Sequence, residues 1–497
     1  MGRTGEGATG LTEWTMELPA QAAAILARLR GAGYGAYAVG GCVRDALLGR
    51  TPGDWDICTA APPAAVRALF AGRRLVLTGE KHGTVGVIAG DAVYEITTYR
   101  LDGAYADHRH PDAVAFVGEL RQDLARRDFT VNAMAYAPGE GLIDLFGGRA
   151  DLAARRLRCV GVPRQRFAED ALRILRALRF AAQLDFTLDP PTAAAALAAR
   201  DSLRAVSAER LFAELDKLLG GAAAGAVLGR CGEILAGALP EILPCIGCAQ
   251  PPRWHCYDVW QHTAAAVGAL PALFPPGYPA GDRRCVLWAV LLHDLAKPAC
   301  RDTDAAGVVH FHGHNQAGAR MAADILTRLC APRALREDAV ALVSQHDGAL
   351  PTGEADILRL LASTGPEQLH RLCLVKYADL DAHAPSPEVA VRRARVSRFE
   401  ARMTQLAAAR CYRLQDLAVN GADALAAGLA PGPAVGLALN GLLNAVLAGR
   451  LPNARPALLA ALRSVADREA ARRAGEAPGD QNAGEPPRGE EENRWNR

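Results

Sequence analysis

Aromatic residues are scarce in this 497-residue chain, at 5% of the total, although 50% of its residues are hydrophobic. Alanine inflates that half, and an alanine-rich chain with few aromatics points to a largely helical protein. Bulk charge of either sign is also missing: 56 basic residues face 54 acidic ones, for a net charge of +2. Nucleic-acid binding must therefore come from local patches. Residues 121–179 supply one, with 12 arginines, no lysines and 7 acidic residues, a local balance of +5. Long apolar runs are absent too; the longest near the centre, 286–292, is much too short to span a bilayer. The opening residues 1–10 are glycine-rich and polar, without the charged-then-apolar order of a signal peptide. The 12 cysteines are scattered, mostly in apolar surroundings, which predicts reduced thiols in a cytoplasmic protein with no membrane partner. Cys245-x-x-Cys248 with His255-Cys256 fits no common zinc spacing and reads better as a loop coincidence. The length exceeds one core, so two to four domains are expected.

What is present begins at residues 39–58. A short apolar run ends at Gly40-Gly41, residues 43–48 read as a short helix, and Thr51-Pro52-Gly53 breaks the chain before an extended Asp54-Trp55-Asp56-Ile57. On a strand, Asp54 and Asp56 share one face while Trp55 and Ile57 point into a core. Adjacent carboxylates repel unless a cation sits between them, and Mg²⁺ favours such oxygen ligands together with substrate phosphates. The paired glycines let backbone N–H groups approach an anion. Alone, Asp-x-Asp also occurs on solvated strand faces, and Gly-Gly commonly marks only a turn. Strands at 74–78, 84–89 and 92–99 extend the sheet. Glu95 on the last is either a third metal-directed carboxylate or an ordinary solvated residue, and Asp102 is a second candidate. Residues 81–84 and 100–111 read as loops rich in phosphate- and base-contacting side chains.

Residues 126–133, Arg-Arg-Asp-Phe-Thr-Val-Asn-Ala, form a second anchor. Paired arginines can grip a triphosphate, and Asp128 with Asn132 can hold ribose hydroxyls. In a third stretch, 169–180, a helix at 100° per residue would bring Glu169, Asp170, Arg173 and Arg176 within an arc of about 120°. The plain reading is an amphipathic surface helix with an i,i+4 pair between Glu169 and Arg173. The sharper reading starts from what cytosine and adenine share, an exocyclic amine that donates beside a ring nitrogen that accepts. Asp170 can accept from the amine while Arg173 donates to the nitrogen; guanine and uracil would leave both unpaired.

From His255 the character changes. His262 lies on one predicted helix, His293-Asp294 at the end of an apolar one, and His314, His346 and Asp379 on later segments. A lone histidine is ordinarily a core or surface residue. Imidazoles and carboxylates gathered together suit a transition-metal ion that activates water against a phosphate ester.

The run Gly40, Gly41, Arg44, Asp45, Leu48, Gly49, Asp54 and Asp56 resembles the first motif of the class II tRNA nucleotidyltransferases (CCA-adding enzymes) and bacterial poly(A) polymerases. Residues 126–133 match that family's second motif, and Glu-Asp-x-x-Arg-x-x-Arg from Glu169 its base-reading motif. Residues 144–152 resemble its head–neck hinge, 207–219 are helical and family-like, and 100–111 resemble the flexible loop of members that add adenosine. The His262, His293-Asp294, Asp379 set resembles the HD phosphohydrolase domain, with His314 and His346 where fuller sites place further ligands. One departure is Ala296, where the usual residue is glycine.

The resemblance implies an α+β fold: a DNA-polymerase-beta-like head, a mixed sheet with flanking helices, followed by an all-α neck, HD domain and tail. The expected division is a disordered 1–15, head 16–152, neck 153–250, HD domain 251–395, tRNA-binding tail 396–466 and a disordered 467–497. It implies addition or repair of the 3′-terminal CCA of tRNA from CTP and ATP. Mg²⁺ would be held by Asp54 and Asp56, the triphosphate by Arg44 and Arg127, and a divalent transition metal by the HD site, acting on RNA 3′ ends. The rivals are an A-adding or poly(A) enzyme of the same fold, and an HD phosphohydrolase whose head only binds RNA.

Overall fold

The computed structural model describes residues 14–102, 114–251 and 256–475. The expectations for residues 1–13, for most of the 100–111 loop, for His255 and for 476–497 lie outside the described residues. Two compact units divide the chain: residues 1–348 with 370–396, and residues 349–369 with 397–497. The second unit is thus assembled from two separated stretches of the chain.

The first unit opens with helix α1 (Ala20–Gly31), strand β1 (Ala36–Val39), α2 (Gly41–Leu47), β2 (Asp56–Thr59) and α3 (Pro63–Leu69). Then come β3 (Leu75–Val76), β4 (Thr84–Ala89), β5 (Ala92–Thr98), β6 (Arg100–Asp102), β7 (Val114–Phe116), α4 (Leu120–Ala125), β8 (Met134–Ala137), β9 (Gly141–Asp144) and α5 (Gly148–Ala153). Seven of these strands form one mixed sheet in the order β3-β4-β5-β2-β1-β8-β9, while β6 pairs separately with β7. Only β2 and β5 run parallel within it.

Strand alternation decides the two faces of β2. Ile57 packs with Ile96, Val85, Val87 and the apolar stripe of α1, Ile25, Leu26 and Leu29. Cys58 belongs to a separate core with Val39, Tyr99, Leu124 and Ala135. Trp55 packs at the edge of the first core, and Asp54 and Asp56 stay exposed. Pairing begins at Asp56, so Asp54 precedes the ladder rather than standing in it.

Helices α6 (Pro163–Glu169), α7 (Leu172–Leu184), α8 (Pro190–Ala199), α9 (Ala208–Leu219) and α10 (Ala224–Leu235) follow. This region is not wholly helical as expected: β10 (Arg156–Leu157) and β11 (Thr187–Leu188) form a short parallel pair. Helix α10 presses against α11 (Val259–Leu273) so closely that a Cβ at Gly225 would meet the Gly268 Cα at 2.5 Å. About two turns further on, the Trp260 indole fills the space over Gly232 and donates to the Leu228 carbonyl at 3.0 Å. Helices α12 (Ala280–Leu292), α13 (His314–Arg328) and α14 (Arg333–Gln345) complete this part, with a small hairpin of β12 (Asp302–Thr303) and β13 (Val309–His310).

The second unit contains α15 (Glu354–Thr364); the chain continues through α16 (Pro366–Asp381) and α17 (Pro387–Ala409) to α18 (Gly421–Ala426), α19 (Pro433–Leu447) and α20 (Arg455–Gly475). Helix α20 runs to Gly475, so residues 467–475 are helical where disorder is expected. Leu458, Leu462 and Ala466 are buried along it at a spacing of four, and that anchored stripe carries the helix past the last apolar turn.

Candidate active sites

Parallel pairing of β2 with β5 sets Asp56 directly opposite Glu95. In-register partners in a sheet point their side chains to the same face, so Glu95 joins Asp54 and Asp56 on the open side. The Asp56 carboxyl is raised above its usual range by desolvation, opposed by Arg127, and raised further by Glu95 and Asp54. Three crowded carboxylates with one nearby guanidinium are a donor set short of positive charge, which is what a divalent cation would supply. The side chain of Asp102 lies outside what is described.

Gly40 adopts φ +81°, and an added Cβ there would stand 3.1 Å from Arg127 Nη1. Only glycine permits both the positive φ and the close approach. Arg127 is anchored through Asp123, whose buried carboxylate accepts from Arg127 Nη2 at 3.2 Å and Arg126 Nη2 at 2.7 Å. Burial opposes ionisation of Asp123, but the two arginines hold its carboxyl below the usual range. The Arg127 Nε is buried with no hydrogen-bond partner among the described residues, a donor left for an anion.

A second network runs through the motif residues. Arg44 Nη1 donates to Asn132 Oδ1 at 2.7 Å, Asn132 Nδ2 to Asp128 Oδ1 at 3.2 Å, and Arg176 Nε to Asp128 Oδ2 at 2.9 Å. Arg176 Nη2 and the Phe129 N–H also donate to Asp128, so its lone pairs are all engaged. Burial pushes Asp128 up, yet Arg176 outweighs it and holds the carboxyl at about 2. Three guanidiniums gather on the Phe180 ring: Arg44 at 5.1 Å, Arg176 at 5.4 Å and Arg179 at 4.1 Å from its centroid. Their edges are held by protein oxygens, Arg44 by Asp45 and Asn132, Arg176 by Asp128 and Arg179 by Glu214.

The base-reading stretch departs from the single helix expected. Helix α6 ends at Glu169, Asp170 is extended at φ −142° and ψ 106°, and α7 begins at Leu172. The break is chemical: Asp170 Oδ1 accepts the Leu172 N–H at 3.0 Å and so caps the new helix. Glu169 and Arg173 form the i,i+4 pair at 2.5 Å, and Arg173 also donates to the Arg126 carbonyl at 3.1 Å. Asp170 Oδ2 accepts instead from Arg210 of α9, at 2.9 Å. Arg210, Arg179 and Phe180 were not singled out from sequence; the outward face of 207–219 was the available signal.

The histidine cluster is tighter. His262 Nε2 stands 2.9 Å from Asp379 Oδ1 and 3.6 Å from Asp294 Oδ2, and His293 Nε2 stands 3.1 Å from Asp294 Oδ2. On the other side of Asp294, His314 and His346 approach Oδ1 at 3.5 and 3.6 Å. Two metal-capable groups result, His262-His293-Asp294-Asp379 and Asp294-His314-His346, sharing Asp294. Each ring is oriented from behind: Nδ1 faces the carbonyl of Ala382, Val290, Phe311 or Val343 for His262, His293, His314 and His346 respectively. A carbonyl can only accept, so Nδ1 donates in each contact and Nε2 is the ring atom turned toward the centre. His293 Nε2 and both Asp294 oxygens are buried and make close ion-pair contacts without a well-formed hydrogen bond among the described residues, a donor set that suits a cation.

Sequence reading did not identify Lys297, whose Nζ lies 2.7 Å from Asp294 Oδ2 and donates to Gln250 Oε1 at 2.9 Å. It also passed over His383, whose Nδ1 lies 3.7 Å from Asp379 Oδ1. Both line a small cavity with the cluster, and their spacings of three and four from known candidates were the clue. Ala296 is buried, and it is not among the positive-φ residues, so the turn after His293-Asp294 does not require glycine. Among the described residues no cysteine enters a metal-capable group, and Cys245 instead donates to the Leu295 carbonyl at 3.5 Å.

Four family descriptions match the chain: "Poly A polymerase head domain" at residues 36–158, "Probable RNA and SrmB- binding site of polymerase A" at 185–230, "HD domain" at 254–382 and "tRNA nucleotidyltransferase domain 2 putative" at 378–462. The crystal structure of the Bacillus stearothermophilus CCA-adding enzyme in complex with CTP is 30% identical, with a TM-score of 0.63, covering 93% of this chain and 100% of that one. The chain belongs to the CCA-adding enzyme family. Its CCA-adding relative from Lactiplantibacillus plantarum is 50% identical over 182 residues, 36% of this chain and 44% of the relative. The match thus spans less than half the length of such curated family members. The Thermotoga maritima CCA-adding enzyme complexed with tRNA shares the fold at 20% identity and a TM-score of 0.56, over 90% of this chain and 95% of that one. Family membership accounts for the mixed-sheet head followed by helices. Among the described residues no helix is long and apolar enough to cross a membrane.

Proposed function

We propose that this chain builds or repairs the 3′-terminal CCA of tRNA from CTP and ATP without a nucleic-acid template. The observation that carries the reading is Arg127, which reaches the Gly40 turn while lying in the charge field of Asp56, itself opposite Glu95. A triphosphate grip and a carboxylate cluster are thereby adjacent, as nucleotidyl transfer requires. The RNA 3′-hydroxyl attacks the α-phosphate in line and pyrophosphate leaves. Arg44 and Arg127 hold the triphosphate, and Asn132 with Asp128 takes the ribose as Arg176 gives way. Asp170 and Arg173 read the base. Asp54, Asp56 and Glu95 would hold Mg²⁺, which supplies charge to acidify the attacking hydroxyl and offset the leaving oxygen.

The HD cluster supports a second activity, metal-dependent hydrolysis of phosphate esters at RNA 3′ ends, such as a 2′,3′-cyclic phosphate or a 2′-phosphate. Its imidazole-rich donor set favours a transition metal, which when bound supplies a Lewis acid and a more acidic water. We assign residues 16–152 to the head, 153–250 to the base-reading neck, 251–395 to the HD domain and 396–466 to the tRNA-binding tail. Twelve free cysteines support a reducing, cytoplasmic setting.

Three tRNAs test the main reading: one ending before the CCA, one after the first C and one after the second. Each is incubated with Mg²⁺ and CTP, ATP or both, and the products are sized. Extension of all three to a complete CCA that then stops is the expected result. Extension of the last alone, with ATP, makes it an A-adding enzyme, and a long ladder of A makes it a poly(A) polymerase. No extension at all overturns the reading and leaves the HD activity as the primary one.

A further inference from the structure

Two cavities meet at the HD cluster, and they differ in size and lining. The smaller, of about 110 Å³, is walled by Asp294, His314, His346 and Asp379 together with Lys297 and Arg392. The larger, of about 340 Å³, shares Lys297, His314 and Asp347 with it. Pockets that enclose a whole small molecule run to roughly 300–1,000 Å³, so the first has room for a phosphate group and the second for a body the size of a nucleoside. The larger cavity is lined by His310 of β13 and by Phe311 and His312 just after it. The hairpin that carries them is held in shape: Asp304 accepts the Ala306 and Val308 N–H groups at 2.9 Å each and lies 2.9 Å from His310 Nε2. The His310 and His312 rings stack nearly parallel, with planes 11° apart and centroids at 5.1 Å. Phe311 joins this cavity to the metal-capable group. Its carbonyl accepts from His314 Nδ1 at 2.8 Å, and its ring centroid lies 5.8 Å from Lys297 Nζ.

Aromatic faces with few charges suit a nucleobase and do not suit a polyphosphate. Among the described residues lining the larger cavity, Lys297 is the one fixed cation and Asp347 the one carboxylate. Lys297 is already paired with Asp294 Oδ2 at 2.7 Å. A triphosphate would need several guanidinium or ammonium groups there, as proposed for Arg44 and Arg127 in the head. A base free of its stack instead gains its binding from π faces, and every base offers one. We infer that the larger cavity seats the terminal nucleoside of an RNA 3′ end, its base against Phe311, His310 and His312. The phosphate on that nucleoside's own ribose then lies in the smaller cavity, among the metal-capable side chains, Lys297 and Arg392. Asp347, common to both cavities, accepts from the free ribose hydroxyl of a monoester. Nucleoside triphosphates are poor substrates for such a site. The inference rests on the phosphohydrolase reading proposed above and adds the surface that recognises the nucleoside.

Hydrolysis by the full-length, metal-loaded chain tests this with adenosine 2′-monophosphate, glycerol 2-phosphate (an ester without a base) and ATP. Wild type is compared with Phe311→Leu, Phe311→Tyr and His312→Ala. The kcat/KM ratio of adenosine 2′-monophosphate over glycerol 2-phosphate should fall about tenfold or more in Phe311→Leu, mainly through KM, and Phe311→Tyr should keep most of it. His312 is exposed, so His312→Ala keeps the fold and should lower the ratio by a smaller factor. Equal loss on both esters in Phe311→Leu would show that Phe311 acts only by holding His314, and would overturn the inference. A ratio within about twofold of wild type in both Phe311→Leu and His312→Ala would do the same, as would ATP cleaved more efficiently than adenosine 2′-monophosphate. Calorimetric titration with adenosine, which carries no phosphate to hydrolyse, gives a second readout. Its affinity should drop in Phe311→Leu, with any binding by the head common to both proteins. A wild type that cleaves none of the esters removes the phosphohydrolase reading, and the cavity assignment then stands only if adenosine binding depends on Phe311. An active wild type whose selectivity and adenosine binding both survive Phe311→Leu removes only the cavity assignment.

Discussion

The head and the HD cluster are both built for divalent cations, yet they are prepared in opposite ways. In the head, Asp54, Asp56 and Glu95 are exposed, and the cationic groups beside them are held by protein carboxylates, Arg127 by Asp123 and Arg176 by Asp128. In the HD cluster, His262, His293 and Asp294 are almost fully buried, and ring orientations are set by backbone carbonyls. The difference follows the ions each site suits. Mg²⁺ keeps waters and takes part of its coordination from substrate phosphates, so an open carboxylate face suffices. A transition metal held by imidazoles takes most of its ligands from oriented protein side chains and keeps one position open for water. On the proposed function, the substrate would complete the first site and the fold supplies most of the second.

The sharpest way to break that contrast is Asp54→Ala. Nucleotide addition should fall by about a thousandfold or more, while metal bound at the HD cluster, measured by elemental analysis, stays at the wild-type level. Loss of both would mean the two sites are not independent. Next in size is Asp294→Ala, which removes the carboxylate shared by both metal-capable groups. Bound transition metal should disappear entirely, whereas His346→Ala should remove only the second group's share, with CCA addition retained in both. Dialysis against buffer free of Mg²⁺ should likewise silence addition, reversibly, without emptying the HD cluster. An HD cluster that empties as readily would erase the distinction.

The smallest effect concerns stability. The buried Asp128 carboxyl is held at about 2, below the roughly 3.9 of an unfolded aspartate, which corresponds to roughly 2–3 kcal/mol. Because the folded value is the lower one, that stabilisation is present above the unfolded pKa and is lost as pH falls toward 2. Arg176→Ala leaves Asp128 buried without its main counter-charge. It should cost roughly 2–3 kcal/mol at neutral pH and move acid unfolding to higher pH, as followed by circular dichroism.

Much of this was legible along the chain because the chemistry is local. The Asp54-Trp55-Asp56-Ile57 alternation placed carboxylates and core residues on opposite faces, and the apolar run before His293-Asp294 became a buried helix delivering that pair. Glu95 stayed ambiguous because its partner across the sheet, Asp56, is thirty-nine residues away and depends on a parallel pairing. Periodicity suggested one continuous helix through Glu169 and Arg176, but Asp170 competes for a backbone N–H and splits it. Charge predicts disorder over residues 467–475, yet they continue a helix anchored within the expected tail at Leu458, Leu462 and Ala466.

By itself, then, the sequence determined which groups are present and which neighbours share a strand face or a helix turn, since those follow from covalent spacing and two periodicities. Only the tertiary structure decided which charges neutralise one another. Arg210 holds Asp170, Arg176 holds Asp128, and the Ala382 carbonyl reaches His262 from 120 residues along the chain, whereas His293, His314 and His346 are oriented by carbonyls three residues before them. Electrostatic attraction falls off over a few ångströms when solvent screens it. Its partners are therefore chosen by proximity in space, which packing of distant helices sets and residue order does not.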